Sequence, residues 1–251
     1  MATSPPTGAT AFDGIERAYE RVRPTYAIDA ILAALLLAGC GDVGDVADLA
    51  AGTGKLTRLL VPHASTIVAI EPSPAMRRAF QLALPDVEIV DGRAEEIPLP
   101  DASLDLVTVG EAFHWFRPAP AIAEIGRVLR PGGALVIAFN EWRTDAAPWL
   151  RNVFSRERSG RRVRRPGRNW RRTLEQSELF DGYCEAARPH EQQLTPSGFV
   201  DLVRSMSHVN ALDEDARAAY VESLRLLVDE QAPTPLIVPI RTRAFAARRR
   251  G

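Results

Sequence analysis

The sequence predicts an α/β protein built on a doubly wound, mostly parallel sheet. Three observations predict it. Short apolar runs alternate with helical patterns from residue 45 to residue 140. A glycine-rich turn, "AAGTGK" (50–55), follows the first run. An acid, Asp48, stands at the end of that run, and a second, Glu71, at the end of the next. Continuous apolar runs are what strands become when crossover helices cover both faces of a parallel sheet.

The elements follow in order. Residues 1–12 read as a disordered tail, and 13–38 as helix interrupted at Arg23-Pro24. "DVADLA" (45–50) is the first strand, and "GKLTRLLV" (54–61) starts a helix. "STIVAIE" (65–71) is the second strand, and Pro74 opens the helix "SPAMRRAFQLAL", where its missing N–H is not needed. "VEIVDG" (87–92) and "LDLVTVG" (104–110) are the third and fourth strands, and the next helix ends near Leu129. "PGG" (131–133) reads as the turn into "ALVIAFN" (134–140), the fifth. Right-handed crossovers then wind the sheet in both directions.

Residues 141–172 break the rhythm and read as a loop or short helices. "YCEAARPHEQQL" (183–194) reads as a strand. Two helices follow, over 195–209 and 213–231, with Thr195 and Asp213 as N-caps. "PLIVPIRTRAFAARR" (235–249) is a final strand, and its Pro239 points to a sheet edge.

Composition narrows the function. The chain of 251 residues is 46% hydrophobic and 25% charged with a net charge of -1, so the whole molecule is not built to bind a polyanion. Lys55 is the only lysine, and arginine carries the remaining basic charge, which fits a coding bias. Cys40 and Cys184 lie far apart in no Cys/His cluster, as in a reducing cytoplasm. No metal site is expected from the spacing of His63, His190 and His208. "MATSPPTGAT" lacks the pattern of a signal peptide, and "ILAALLLAGC" (31–40) is too short to span a bilayer.

Three ligand classes use a glycine turn after a strand. A phosphate loop needs Gly-x4-Gly-Lys-Ser/Thr, but Leu49 and Leu56 stand at its first and last positions. A dinucleotide fingerprint needs G-x-G-x-x-G, but Thr57 occupies its last glycine. What remains is Asp48, the turn, and Glu71 placed to accept hydrogen bonds from a ribose diol. A nucleoside cofactor without phosphates fits, with Asp48 facing its cationic part directly or through water.

The residues now carry a resemblance. "DLAAGTGKLTRLL", "IVAIEPSPAM", "DGRAEEIPLPDASLDLVTVGEAFHWF" and "IGRVLRPGGALVIAFN" resemble the core motifs of class I S-adenosylmethionine-dependent methyltransferases. "YERVRPTY" (19–26) is similar to the N-terminal cap of the small-molecule branch that includes trans-aconitate-type enzymes. The resemblance implies a seven-stranded sheet with an antiparallel last strand. It also implies one domain over 1–251: cap helices at 13–38, a cofactor-binding core at 45–140, an arginine-rich variable segment at 141–172, and closing strands with inserted helices at 183–249.

The cofactor it implies is S-adenosyl-L-methionine. Ala50, Gly52, Thr53 and Gly54 would pass under the methionine part. Glu71 would hold the ribose, Pro72 and Met76 the adenine face, and Ala94 and Glu95 the adenine edge. Tyr19 and Arg23 would close over the cofactor, and Glu111 and Ala112 would lie by the sulfonium and the methyl exit. Phe113 to Phe116 would form a substrate-side wall. Two positions depart from the family: it usually has glycine at Ala50, and an acid or small polar residue at Arg93.

Methyl transfer from a sulfonium is an in-line displacement governed by proximity and orientation. A base is needed only where the acceptor must lose a proton. His114 is the catalytic candidate, and its pKa range suits proton transfer. A substrate or cofactor contact and a packed ring are the other readings of it. Residues 156–172 hold nine arginines and one acid. They read as a solvated loop, a lid attracting an anionic substrate, or a nucleic-acid patch. The expected partner is a small organic molecule, anionic if that lid is real; neither nucleic acid nor membrane is expected, and oligomeric state is not indicated. The expected activity is cytoplasmic methyl transfer. Its alternatives are an RNA-directed methyltransferase and a non-methylating cofactor-binding cyclase or regulator of the same fold.

Overall fold

A computed structural model describes residues 22–41, 43–155, 169–210 and 212–251. The expected tail at 1–12, the helical stretch before Arg23, Tyr19 and most of the arginine-rich segment lie outside the described residues.

Seven strands form one sheet: β1 (Asp45–Leu49), β2 (Thr66–Ile70), β3 (Glu88–Val90), β4 (Leu104–Gly110), β5 (Leu129–Trp142), β6 (Phe180–Leu194) and β7 (Leu236–Arg249). Their order is β3-β2-β1-β4-β5-β7-β6. The pairs β1/β2, β1/β4, β2/β3 and β4/β5 are parallel, and the last strands are antiparallel. Chain direction across the sheet reverses between β1 and β4. In an open α/β sheet, that reversal opens a crevice beyond the strands' C-terminal ends.

The described residues fall into two compact units. The larger takes Thr25–Asn140, Arg165–Arg188 and Thr242–Gly251. Its helices include α1 (Ile28–Leu37), α2 (Lys55–Leu60), α3 (Pro74–Ala83) and α4 (Pro118–Val128). Alternate residues of each strand face opposite ways, which divides the core in two. Val107 and Val109 of β4, with Leu135 and Ile137 of β5, pack with Ile122 and Ile125 of α4. Leu106, Val136 and Ala138 pack with Ile31 of α1 and Leu56 and Leu60 of α2. Each such Val, Leu or Ile side chain, fully buried, contributes about 1.5–3 kcal/mol, so this sandwich fixes the strand ends.

Local signals set the helix starts. The Ser73 hydroxyl accepts from the Met76 N–H, and Pro74 fills the first turn of α3. The Glu95 carboxylate accepts from the Arg117 N–H at 2.8 Å, just ahead of α4 and its Pro118. Arg127, near the end of α4, binds Glu124, Asp101 and the carbonyls of Ile97 and Leu99. That one guanidinium pins the irregular 97–101 segment to the helix.

The smaller unit takes residues up to Pro24, Glu141–Arg164 and Pro189–Arg241. It contains α5 (Trp149–Ser155), α7 (Pro196–Arg204), α8 (Ser207–Asn210) and α9 (Glu214–Gln231), whereas α6 (Trp170–Glu175) lies in the larger unit. Leu150, Phe199, Leu202, Val203, Leu224 and Val228 form its core. Thr195 and Asp213 cap α7 and α9, each accepting from the N–H three residues on.

Two expectations are corrected. "PGG" is not a turn ahead of β5; the strand begins at Leu129 and bulges through it. Leu104 pairs with Leu129 and Leu106 with Ala134, so the extra β5 residues loop out of register, with Gly132 at φ +85°. Nor does Pro239 mark an edge: β7 lies between β5 and β6, and β6 is the edge. Proline removes a donor but keeps its acceptor, and the Pro239 carbonyl takes the Arg143 N–H at 2.9 Å.

Candidate functional site

The site lies where β1, β2 and β4 end. The chain leaves β1 through Ala50 at φ +56°, Gly52 at φ +58° and Gly54 at φ +85°. The Ala51 N–H donates to the Ile70 carbonyl and the Gly54 N–H to the Ala51 carbonyl, closing the turn. Gly54 is required: a Cβ there would stand 2.7 Å from Leu84 and 2.8 Å from Phe80. Gly52 is different. Beyond its own chain neighbours, no atom of the described residues lies within 4 Å of where its Cβ would stand, so the turn is open on that side. Ala50 bears a side chain in the left-handed region, where an L-residue costs roughly 1–2 kcal/mol.

Two carboxylates hold this turn. Asp48 is 1% exposed. One of its oxygens accepts from the Thr57 hydroxyl on α2 and the other from the Thr108 hydroxyl on β4, at 2.9 Å. Burial pushes its pKa up to about 6, against the pull of both hydroxyls. Glu71 is 6% exposed. Its oxygens accept the N–H groups of Gly52 at 2.9 Å and Ser73 at 2.8 Å. Burial raises its pKa too, opposed by those two N–H groups and by Arg77. Arg77 also donates to the Glu71 carbonyl and pairs with Asp91, tying the ends of β2 and β3 together.

The remaining predicted residues lie in the segments that follow β1, β2, β3 and β4, and three expectations stand apart. Pro72 follows Glu71, half-buried, and Met76 lies buried on the first turn of α3. Ala94 is buried beside Ile97 in the core, and Thr53 is buried within the turn. Glu95 is occupied at the start of α4, and Arg93 is exposed, its backbone carbonyl accepting the Glu96 N–H at 3.1 Å. Glu111 follows β4 at φ +55°, donates its N–H to Ala138, and accepts the Asn140 N–H on its carboxylate. Such backbone strain persists only where the surroundings hold it, and it collects at functional sites. Ala112 leads into the 3-10 turn Phe113–Trp115. Of the exceptions, Tyr19 is outside the described residues. Arg23 belongs to the smaller unit, where it donates to the Ser205 hydroxyl and carbonyl at 2.9 and 2.8 Å. The third is the aromatic wall.

That wall is corrected. Phe113 is 0% and Phe116 7% exposed, their rings 5.2 Å apart in the core under α4. A 3-10 turn directs successive side chains apart, so only His114 and Trp115 remain half-buried. The His114 ring lies 5.1 Å from Trp115 and 6.3 Å from Phe139.

Sequence reasoning missed Thr57 and Thr108. Thr57 had counted only as a failed glycine, and Thr108 as one polar residue in the apolar run "LVTVG". The Asn140 side chain donates to the Thr25 carbonyl at 2.9 Å and accepts from the Thr242 hydroxyl at 2.7 Å. Among the described residues no cluster of His, Cys, Asp and Glu could hold a metal ion, and no helix is long and apolar enough to cross a membrane.

Comparisons agree with this geometry. Residues 47–137, from β1 through most of β5, match the methyltransferase domain family. An uncharacterized methyltransferase of Mycobacterium tuberculosis is 37% identical over 221 residues, covering 87% of this chain and 85% of its own. A type II methyltransferase fold from Anaeromyxobacter dehalogenans superposes with a TM-score of 0.67 at 22% identity, over 91% of this chain and 97% of that one. A Haemonchus contortus phosphoethanolamine N-methyltransferase, solved with S-adenosylhomocysteine, superposes with a TM-score of 0.55 at 14% identity, over 97% of this chain and 60% of that one. With the strand order, the open turn and the relative that matches most of its length, the chain belongs to the class I S-adenosylmethionine-dependent methyltransferases.

Proposed function

We propose that the protein binds S-adenosyl-L-methionine in the turn after β1 and transfers its methyl group to a small organic acceptor in the cytoplasm. The observation that carries this reading is the buried Glu71 carboxylate. Each of its oxygens accepts one backbone N–H. A carboxylate oxygen has two acceptor positions, so two remain, enough for the two hydroxyls of a ribose. The turn fits the group as well, because the space over Gly52 is open.

When bound, the cofactor supplies a methyl on a sulfonium, open to in-line attack. The chain's residues do the rest. Asp48 fixes the turn through Thr57 and Thr108, and is positioned to offset positive charge. Glu111 orders the bend that follows β4 by holding the Asn140 N–H. Met76 and Pro72 supply apolar surface for a base, and Ala94 a small neighbour at its edge. His114, half-buried beyond Ala112, takes the proton when the acceptor is a hydroxyl or amine.

Calorimetry with S-adenosylmethionine and S-adenosylhomocysteine tests the reading. Both should bind. Glu71→Gln should weaken S-adenosylhomocysteine at least tenfold, since it removes the charge from two hydrogen bonds in the site. If neither ligand binds the wild-type protein, the reading fails. Binding without methyl release to any acceptor would favour a cyclase or regulator. Salt-dependent RNA affinity lost on neutralising the arginines of 156–172 would favour the RNA-directed alternative.

A further inference from the structure

Tyr26 stands where the sheet opens. A Cβ on Gly110 would lie 2.6 Å from the Tyr26 hydroxyl oxygen and 3.2 Å from Leu56. The phenol therefore fills the side-chain place that glycine leaves empty at the end of β4. Alternate residues of a strand share a face. The hydroxyl is thus one step along β4 from Thr108, which donates to Asp48. Leu56, on the other side, belongs to α2, directly after the turn that leaves β1. The hydroxyl sits between the segments that follow β1 and β4, the two strands at which the strand order reverses. Ligands of open α/β sheets bind in the crevice at that reversal. The crevice is open here: Leu49, Thr108 and Val109 are fully buried, whereas residues 50–52 and 110–112 are half-buried, as is Tyr26.

Two staples fix Tyr26 in this place. The Thr25 carbonyl accepts from the Asn140 side chain at 2.9 Å, and the Ala27 N–H donates to the Thr242 hydroxyl at 2.9 Å. Thr242 in turn donates to the Asn140 side chain at 2.7 Å. Both chain neighbours of Tyr26 are held in this way, one to β5 and one to β7. Asn140 also gives its backbone N–H to Glu111, the residue after Gly110. All of these residues belong to the larger unit.

The sheet sets the order of the cofactor's parts. Glu71, at the end of β2, takes the ribose, and the turn after β1 takes the methionine part. The sulfur lies between them. A sulfonium is pyramidal, so its third substituent, the methyl, points the remaining way, toward β4. We infer that the Tyr26 hydroxyl oxygen contacts this methyl and thereby favours S-adenosylmethionine over S-adenosylhomocysteine. The inference rests on the methyltransferase reading above and adds a residue to that same site. A methyl on a sulfonium is positively polarised, and its C–H groups donate to an oxygen lone pair. The demethylated product lacks both the donor and the charge.

Calorimetry on the full-length protein, with no acceptor present, tests it. Tyr26→Phe keeps the ring and removes the oxygen. It should weaken S-adenosylmethionine about fivefold, the upper end for a C–H···O contact because the donor shares the sulfonium charge. S-adenosylhomocysteine should stay within about twofold, which shows that the variant is folded. Gly110→Ala, whose methyl displaces the hydroxyl, should repeat the selective loss. Unchanged binding of S-adenosylmethionine to Tyr26→Phe, or equal loss of both ligands, overturns the inference. If circular dichroism shows Tyr26→Phe to be unfolded, Gly110→Ala decides by the same two outcomes. Failure of the wild-type protein to bind S-adenosylhomocysteine is a separate result, and it removes the methyltransferase reading together with this one.

Discussion

Replacing Asp48 by asparagine separates two opposed effects on the carboxylate that anchors the glycine turn after β1. Burial favours the neutral acid, whereas the Thr57 and Thr108 hydroxyls favour the anion. Burial wins, and the pKa rises from 3.8 to about 6. Between those values the native state binds more protons than the unfolded chain, so stability falls as pH rises through the window and levels off above it. The displacement corresponds to about 3 kcal/mol of destabilisation at neutral pH. Asparagine keeps the shape and carries no charge, and either threonine hydroxyl can rotate to accept from its amide. Measured by urea unfolding, Asp48→Asn should therefore gain about 2–3 kcal/mol relative to wild type between pH 4 and pH 7.5. The Glu71 pKa is raised as well, chiefly by its own burial, which is common to both proteins; its repulsion of Asp48 is the smallest of the effects on the Asp48 carboxyl. A difference that is constant across the range would refute the reasoning. A difference of opposite sign would mean that the threonines, not burial, set the charge of Asp48.

Further predictions follow from the turn and the motif beyond β4. Ala50→Gly should raise the melting temperature, by up to about 1 kcal/mol in stability, because relief of the left-handed strain outweighs the added freedom of the unfolded chain. Differential scanning calorimetry checks it, and a lower melting temperature counts against the strain. Gly54→Ala should cost at least about 2 kcal/mol, since its Cβ would meet Phe80 and Leu84 and the backbone is left-handed; chemical denaturation reads this directly. His114→Ala should leave S-adenosylhomocysteine affinity within a few-fold while lowering turnover on a proton-bearing acceptor. Unchanged turnover would leave the imidazole a packing role only.

The sequence by itself determined the alternation of strands and helices, because burial on both faces forces apolar runs of strand length. It also determined the glycine turn with Asp48 and Glu71, because those residues lie at fixed short distances from strand ends. The helix caps at Thr195 and Asp213 were legible for the same reason: a cap is a contact over three residues. The tertiary structure decided whatever depends on register and side-chain direction. Asp48 meets Thr108 across 60 residues, and Asn140 reaches Thr25 across 115. No local period encodes such pairs. The same holds for "FHW": all three side chains are apolar or aromatic, and only the turn's geometry against α4 buries Phe113 while leaving His114 and Trp115 at the rim. The bulge at "PGG" and the interior place of β7 came from strand pairing, which fixes which backbone groups need partners only once every neighbour is in position.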